Sequence, residues 1–225
     1  TGEIYKWKSR LNLDGSKQVE GRDFWQTYAP VATWGSIRLQ LTLALMQGWH
    51  TKQIDFVQAY PQAPIEVTQF LKWPRGIEVE GYDPDEWVLK VEKNVYGGKA
   101  AGRTWYKHLV KKLESIGFVR SKFDECVFYK GTAMYVLYTD DSILSSPDEQ
   151  EIEDIIQQMK QADLDLTVEG DVADFLGVNI TRMDDNTFNL TQPKLIDSIL
   201  EDLGLGDDST STKQVPMASS KLLSR

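Results

Sequence analysis

The stretch MYVLYTDDSIL, residues 134–144, places two adjacent aspartates between two apolar runs that are typical of β-strands. Two ionised carboxylates about 4 Å apart repel each other by roughly 4 kcal/mol at an effective dielectric constant of 20. A turn that carries Asp140 and Asp141 therefore needs a compensating interaction. Two interpretations stay open from this stretch alone: a hairpin turn in which aspartate caps its own backbone, or carboxylates that share a metal ion.

The composition is that of a globular protein, and it limits the kinds of metal site. The 225 residues are 41% hydrophobic and 26% charged. No apolar run approaches the ~20 residues of a membrane-spanning helix, and no signal peptide or membrane partner is expected. With one cysteine, Cys126, no internal disulfide can form, which favours a reducing compartment. Together with His50 and His108 it is too little for an ordinary zinc site, so carboxylates would hold any metal.

The net charge of −9 is unevenly distributed. Residues 1–130 carry 19 Lys and Arg against 15 Asp and Glu, whereas residues 131–225 carry 6 against 19. Four basic residues recur at every fourth position of a predicted helix and are called the basic stripe: Lys99, Arg103, Lys107 and Lys111. Side chains at this spacing share one side of a helix. The stripe is either a solvated face or a surface that follows phosphates.

Helical and strand-like patterns mix without βαβ regularity, which predicts an α+β fold. We expect a helix over GSIRLQLTLALMQGW (35–49), capped by Ser36 and ended by Gly48. A strand is expected over TKQIDFVQAY (51–60). Further helices are expected over residues 98–117, 148–162 and 193–205. Further strands are expected over residues 5–13, 86–96, 125–130, 133–138, 164–170, 174–182 and 186–190, with a loop around a short strand in 61–76.

A third carboxylate, Asp55, lies in the run QIDFVQAY, where an acid within an apolar strand-like segment is unusual. It either caps a turn at the strand end or approaches the Asp140–Asp141 pair. One aspartate at a strand end and a pair at a hairpin tip would form the two-metal site of palm-type polymerases. There one metal lowers the pKa of a primer 3′-hydroxyl and the other neutralises a triphosphate.

Several blocks occur in a specific order along nearly the whole chain. They are KSRLNLDGSKQ (8–18), YAPVATWGSIRLQLTLALMQGW (28–49), QIDFVQAYPQA (53–63), NVYGGKAAGRTWY (94–106), SKFDECVFYK (121–130) with YTDD (138–141), DFLGVNI (174–180) and LTQPKLIDSIL (190–200). A lone Asp-Asp pair is weak evidence, but blocks in this order are strong evidence. They resemble the reverse transcriptase domain of copia-type LTR retrotransposons, with its D-V-x-x-A-F-x-x-G, Y-G-L-K-Q-A-P-R-x-W-Y and Y-V-D-D motifs.

The resemblance implies a right-hand polymerase in residues 1–205, with fingers, palm and the start of a thumb. The palm would be an antiparallel sheet backed by helices, and residues 206–225 would be a polar tail or connection segment. The implied activity is that of an RNA-directed DNA polymerase, a nucleotidyltransferase that adds deoxynucleotides to a primer 3′-end. Implied partners are an RNA or DNA template with primer, deoxynucleoside triphosphates, and the RNase H and integrase segments of a parent polyprotein. The implied location is intracellular, in cytoplasmic particles.

The resemblance also implies roles for the aspartates. Asp55 and Asp140 would bind metal, with the Phe56 carbonyl oxygen completing the set of ligands. Asp141 would lie close by and orient or share a metal, so that all three carboxylates are catalytic. The implied cofactor is two Mg²⁺ or Mn²⁺ ions.

Further residues are implied to contact the substrates. Tyr60 falls where the family has an aromatic residue that closes on C2′ of the incoming nucleotide. Arg10 and Lys8 fall where fingers residues grip the triphosphate, and Gly97 falls in the block that shapes the nucleotide site. The basic stripe would contact the template and primer.

Three positions depart from the family pattern. Thr139 replaces the commoner valine and adds a hydroxyl beside the metal site. Ala100 stands where glutamine is usual and removes a polar contact near the nucleotide. Gly102 stands where proline is usual and loosens the start of the predicted helix.

Two other functions stay open. The segment GGKAAGRT (97–104) nearly matches the phosphate-binding loop G-x-x-x-x-G-K-[ST] of nucleotidases. However, Arg103 replaces the lysine, and arginine is not equivalent at that position. A catalytically inactive, nucleic-acid-binding remnant of the same fold is the second alternative. Metal-dependent primer extension and ATP hydrolysis without nucleic acid would distinguish these functions.

Overall fold

The computed structural model describes residues 10–205 except Arg75, Glu78, Pro84 and Asn186. The chain divides between Val172 and Ala173 into two compact units. Counted over the described residues, the first unit contains a six-stranded sheet, a two-stranded hairpin and four α-helices, and the second contains a three-stranded sheet and one helix. Lys8, the predicted strand residues 5–9 and the tail 206–225 lie outside the described residues.

The six-stranded sheet has the order β4-β5-β6-β7-β1-β8, and every neighbouring pair is antiparallel. Its strands are β1 (His50–Phe56), β4 (Val119–Arg120), β5 (Val127–Lys130), β6 (Ala133–Tyr138), β7 (Asp141–Ser146) and β8 (Leu166–Gly170). The predicted α+β class with an antiparallel sheet is confirmed.

The remaining strands form two smaller sheets. The hairpin of the first unit pairs β2 (Pro64–Leu71) with β3 (Leu89–Lys93). The second unit pairs β10 (Val178–Arg182) with both β9 (Asp174–Phe175) and β11 (Phe188–Thr191). The helices are α1 (Trp34–Gln47), α2 (Ala59–Gln62), α3 (Ala101–Ser115), α4 (Glu149–Gln161) and α5 (Pro193–Asp202), with a short 3₁₀ helix over Gly15–Lys17. Within the described residues, no helix is both long and apolar enough to cross a lipid bilayer.

Several predicted boundaries are wrong in instructive ways. Helix α1 is capped by Thr33, whose side chain accepts the Ser36 N–H, although its end at Gly48 is confirmed. The strand predicted over 51–60 ends at Phe56, because the chain turns into the short helix α2. The segment predicted as a loop around a short strand contains the eight-residue strand β2.

Helices α1 and α4 pack against the β6–β7 hairpin and bury its apolar side chains. A buried glutamine of α1, Gln40, bridges the two strands. Its Nε2 donates to the carbonyl oxygens of Met134 in β6 and Ile143 in β7, both at 3.0 Å, and to Ser145 Oγ at 2.9 Å. One side chain therefore fixes α1 against both strands of the hairpin.

The carboxylate of Asp124 joins α1 to the loop that leads into β5. Its Oδ2 accepts hydrogen bonds from the Thr33 N–H at 3.2 Å and from Ser36 Oγ at 2.5 Å. Its Oδ1 accepts the Cys126 N–H at 2.9 Å. Partial burial acts to raise the pKa of the Asp124 carboxyl, but these hydrogen bonds outweigh burial and hold the pKa below its ordinary value. The ionised carboxylate therefore stabilises the folded state.

We predict that Asp124→Asn lowers the free energy of unfolding by about 1.5 kcal/mol at pH 7, the lower end for hydrogen bonds to a charged group. Because the pKa is lower in the folded state, the stabilisation is present above the unfolded-state value. It is lost as the pH falls through the folded-state value. Urea unfolding of both proteins, measured from pH 7 down to about pH 3.5, should show that the difference between their free energies of unfolding decreases as the pH falls.

The control is Asp154→Asn, because Asp154 is exposed on α4, where its side chain accepts a hydrogen bond from the nearby Gln150. It should change stability little at any pH. A stability difference for Asp124→Asn that is independent of pH would contradict the charge-based account.

Candidate active site

The β6–β7 hairpin closes through a two-residue turn, Thr139–Asp140, between Tyr138 and Asp141. Thr139 has φ 59°, a left-handed conformation that is uncommon for a β-branched residue. The buried indole of Trp105 in α3 donates its Nε1–H to the Thr139 carbonyl oxygen at 2.7 Å. Backbone strain of this kind persists where the surroundings fix it, and here α3 fixes the turn.

The three predicted aspartates lie at one end of the β1–β7 pair. Asp55 is directly opposite Asp141 in the antiparallel register. Side chains at such positions are on one face of the sheet, with Cβ atoms about 4.5–5.5 Å apart. Asp140 lies in the adjoining turn, and its carbonyl oxygen accepts the Phe56 N–H at 3.4 Å. The strand register therefore brings Asp55 opposite Asp141, although the two residues are far apart in sequence.

The oxygen atoms of these residues can be compared with the ligands preferred by Mg²⁺, the metal that the sequence resemblance implies. Among the described residues, no group of three or more His, Cys, Asp or Glu side chains forms a ready-made metal cluster. Mg²⁺ does not need one, because it keeps several waters and typically binds through one or two carboxylates plus substrate phosphates. Carboxylates on adjacent strands supply the hard oxygen ligands that this ion prefers. Asp55 and Asp141, which lie opposite each other on adjacent strands, therefore have the chemistry of the one or two carboxylates that this ion accepts.

Tyr60 lies in α2 rather than at a strand end. Gln58, which has φ 49°, is the N-cap of α2, and Tyr60 follows in that helix. The ring centroid of Tyr60 is 4.9 Å from that of Tyr96. Burial and the negative charge of Asp140 raise the pKa of the half-buried Tyr60 phenol. The predicted nucleotide-facing residue is thus near a predicted metal ligand.

Gly102 lies near the Tyr60 hydroxyl. A Cβ atom added to Gly102 in the first turn of α3 would lie 3.8 Å from Tyr60 Oη, which is ordinary van der Waals contact. The departure from the family's usual proline therefore lies directly against the Tyr60 side chain. The start of α3 at Ala101 also places Ala100 at the N-cap, where no side chain satisfies the free backbone N–H groups.

Tyr96 is a site residue that the sequence reasoning missed. The guanidinium carbon of Arg10 lies 5.0 Å from the centroid of its ring. Burial raises the pKa of the Tyr96 phenol, the Arg10 charge lowers it, and the charges of Asp140 and Asp55 raise it, so that the net shift is upward. Two of the three aspartates therefore act on one phenol. The available signal was its position at the start of the block YGGKAAGRTWY.

Gly97 is required by a close approach of two backbone segments. It has φ 85°, and a Cβ atom there would lie 2.1 Å from the Leu13 carbonyl oxygen. Next to it, the Leu13 N–H donates to the Tyr96 carbonyl oxygen at 2.7 Å, and Asn12 forms a parallel bridge with Tyr96. The structure thus gives Gly97 a backbone role: it lets the segment that follows Arg10 attach beside Tyr96.

The basic stripe is divided by the structure. Lys99 precedes α3, and its N–H donates to Gln18 Oε1 at 2.7 Å, so the prediction that all four residues share one helix is wrong. Arg103, Lys107 and Lys111 do lie on α3, four residues apart. Lys107 and Lys111 are exposed, and Arg103 is intermediate.

A carboxylate of the same chain, which sequence reasoning missed, lies beside the basic stripe. Glu66 of β2 lies 3.1 Å from Lys107 Nζ and 4.0 Å from an Arg103 nitrogen. The Arg103 guanidinium also donates to Gln26 Oε1 at 2.5 Å. Within the described part of the chain, no ion pair involves Lys111. Lys111 is therefore the stripe residue on α3 best placed for an external anion.

The alternative of a phosphate-binding loop is not favoured by the topology. Strand β3 does precede α3, as that loop requires, but β3 belongs to a two-stranded antiparallel hairpin. Phosphate-binding loops of this type follow strands of a parallel α/β sheet, and every strand pairing described here is antiparallel.

Comparison with known proteins identifies the class to which this fold and site belong. The family described as "Reverse transcriptase (RNA-dependent DNA polymerase)" matches residues 3–219. The chain belongs to this family, and the resemblance inferred from its ordered motifs is confirmed.

Similar proteins include transposon polyproteins of plants. The "Retrovirus-related Pol polyprotein from transposon TNT 1-94" of Nicotiana tabacum is 28% identical over 205 residues, which cover 88% of this chain and 15% of that protein. The corresponding polyprotein from transposon RE1 of Arabidopsis thaliana is 30% identical over 164 residues, which cover 71% of this chain and 11% of that protein. The chain thus spans a small part of either relative's length.

Proposed function

We propose that this chain is an RNA-directed DNA polymerase that adds deoxynucleotides to a primer 3′-end on an RNA or DNA template. The six-stranded sheet with α1 and α4 is the palm in this proposal. The β2–β3 hairpin and the segment around Arg10 are the fingers, and α5 of the second unit is the start of the thumb. The chain acts as part of a polyprotein with RNase H and integrase segments, and we expect that polyprotein to reside in intracellular particles.

The observation that carries this proposal is the register of Asp55 opposite Asp141, beside Asp140 in the strained turn. Asp55, Asp140 and the Phe56 carbonyl would hold divalent metal, with Asp141 sharing or orienting it. When bound, Mg²⁺ or Mn²⁺ supplies Lewis acidity at the primer hydroxyl and charge neutralisation at the triphosphate. The residues of the chain orient the reactants in line and surround the developing charge.

The substrates would meet side chains on two sides of this carboxylate group. Tyr60 would contact the nucleotide sugar, because its ring packs beside that of Tyr96 and the charge of Asp140 acts on its hydroxyl. Arg10, and Lys8 beside it in sequence, would meet the triphosphate. The exposed cations of α3 would follow the phosphates of the template and primer.

We predict that Asp55→Asn and Asp140→Asn each abolish extension of a DNA primer on an RNA template with Mg²⁺ or Mn²⁺. Removing one oxyanion-type donor costs about 2.7–4 kcal/mol of transition-state stabilisation, and losing a metal should cost at least as much. Asp141→Asn should also reduce the rate. A ligand that binds only the folded state raises the melting temperature. Mn²⁺ should therefore stabilise the parent protein but not the Asp55 and Asp140 variants.

The matched control is Asp163→Asn, since the Asp163 side chain is 92% exposed and its positive φ suits asparagine. It should keep both activity and stabilisation by Mn²⁺. Extension by either metal-ligand variant within tenfold of the parent rate would show that the assignment is wrong. A parent protein that binds primer–template but never extends it would favour the inactive remnant.

The ion pairs on α3 give a second, graded prediction. Lys111→Gln should weaken template–primer binding equally for all sequences and reduce the log–log salt slope by up to about 0.9, the value for one phosphate contact. Lys107→Gln should reduce the slope less, because Glu66 already neutralises that ammonium group. Glu66→Gln should steepen the slope by freeing Lys107. Fluorescence anisotropy at several salt concentrations measures all three.

The control for these variants is Lys160→Gln on α4, an exposed lysine outside the basic stripe. It should leave the slope unchanged. If Lys111→Gln also leaves the slope unchanged, the basic stripe is a solvated face.

We predict that Tyr60→Ala relaxes sugar selectivity, so that ribonucleotides are added much faster relative to deoxynucleotides. A ring against C2′ would clash with a ribose 2′-hydroxyl and leave deoxyribose unhindered, which is discrimination by repulsion. Single-nucleotide addition with paired ribo- and deoxy-substrates measures the preference.

Tyr60→Phe keeps the ring and should keep the preference, which makes it the matched control. Thermal melting accompanies both variants, because large aromatic truncations in a core cost about 3–5 kcal/mol and would remove both activities together. A stable Tyr60→Ala protein with unchanged sugar preference would contradict the proposed contact.

A further inference from the structure

Tyr96 lies at the centre of a cluster to which neither the comparisons nor the proposed function assigns a role. One neighbour of its ring is Tyr60, with the centroids 4.9 Å apart, and another is the guanidinium of Arg10, at 5.0 Å from the centroid. The charges of Asp140 and Asp55 both act on its hydroxyl. Tyr96 therefore lies beside Tyr60 and Arg10, and the charges of two of the three aspartates act on it.

The backbone around Arg10 is fastened to the same tyrosine. Leu13 donates its N–H to the Tyr96 carbonyl oxygen at 2.7 Å, and Asn12 bridges to Tyr96. Gly97 allows this approach because it has no side chain. The chain near Arg10 is thus held by main-chain contacts, and its guanidinium by the Tyr96 ring.

Within the described residues, the Arg10 side chain lies over the Tyr96 ring. Arg10 is exposed, and no ion pair involving it occurs within the described residues. An arginine side chain without a partner samples many rotamers, and ordering it on substrate binding costs free energy. Contact with an aromatic face reduces that cost, because the guanidinium is already held near its working position.

We propose that Tyr96 is a positioning residue that holds the Arg10 guanidinium over its ring, so that the triphosphate of an incoming nucleotide meets a pre-oriented cation. This inference rests on the proposed function, because it requires a triphosphate at the carboxylates. The ring carries the effect, since the guanidinium lies over the aromatic face and a cation interacts with that face. Replacing tyrosine with phenylalanine should therefore matter little, whereas removing the ring should matter.

The experiment measures nucleotide affinity in two ways for Tyr96→Phe, Tyr96→Leu, Arg10→Gln and the double variant Arg10→Gln/Tyr96→Leu. One readout is primer extension, in which KM for the nucleotide and kcat are measured separately. The other is the retention constant, the nucleotide concentration at which half of each protein stays bound to a dideoxy-terminated primer–template. This measurement requires no catalysis. Tyr129→Leu, at an exposed tyrosine of β5, is the control, and thermal melting checks each fold.

Tyr96→Leu should raise KM and the retention constant about two- to fivefold, the effect of an exposed cation–π contact, with kcat nearly unchanged. Tyr96→Phe should restore most of the affinity. In the Arg10→Gln background, Tyr96→Leu should cause no further loss, because the residue through which it acts is absent.

Three results would overturn the inference: additive losses in the double variant, equal damage from Tyr96→Phe and Tyr96→Leu, or unchanged affinity in Tyr96→Leu. The retention readout separates this inference from the proposed function. If the parent protein retains nucleotide but extends no primer, the proposed catalysis fails while the Arg10–Tyr96 pair is still decided by binding. If the parent retains no nucleotide at all, both fail.

Discussion

The pairing of β1 between β7 and β8 is the constraint on which the candidate site depends. Asp55 has no sequence neighbour among the other aspartates, and only the antiparallel register places it opposite Asp141. The side chains of a strand alternate between faces, so this register also decides which face carries the carboxylates. Gln40 acts on the same hairpin from α1, because its amide bridges the backbones of β6 and β7.

The site departs from ordinary local preferences, and the surrounding packing holds these departures in place. Like charges directly opposite each other weaken a strand pair, and a β-branched residue with positive φ strains a turn. Both features occur where Asp55 meets Asp141 and where Thr139 closes the hairpin. The buried indole of Trp105, a residue of α3, holds the strained turn through its hydrogen bond to the Thr139 carbonyl oxygen. Such departures are expected at functional sites.

Sequence reasoning predicted the features that depend on local chemistry. The carboxylates, the hairpin around Thr139–Asp140 and the end of α1 at Gly48 follow from turn residues and apolar patterns. Thr33 and Ser36 are both suitable N-cap residues, and the cap forms at Thr33, where a hydrogen bond from its backbone N–H to Asp124, 91 residues away, fixes the chain entering α1. Glu66 beside Lys107 and Tyr96 beside Arg10 were missed for the same reason.

The register of Asp55 opposite Asp141 has a consequence for how this chain can diverge. A single-residue deletion in β1 ahead of Asp55 would turn its carboxylate to the opposite face of the sheet, whereas many substitutions there would leave it in place. The connection between β2 and β3, residues 72–88, is not a strand of this sheet, so a change in its length does not turn the aspartates to another face. Insertions and deletions in related sequences should therefore be found in that connection and be absent from the strands that carry the aspartates.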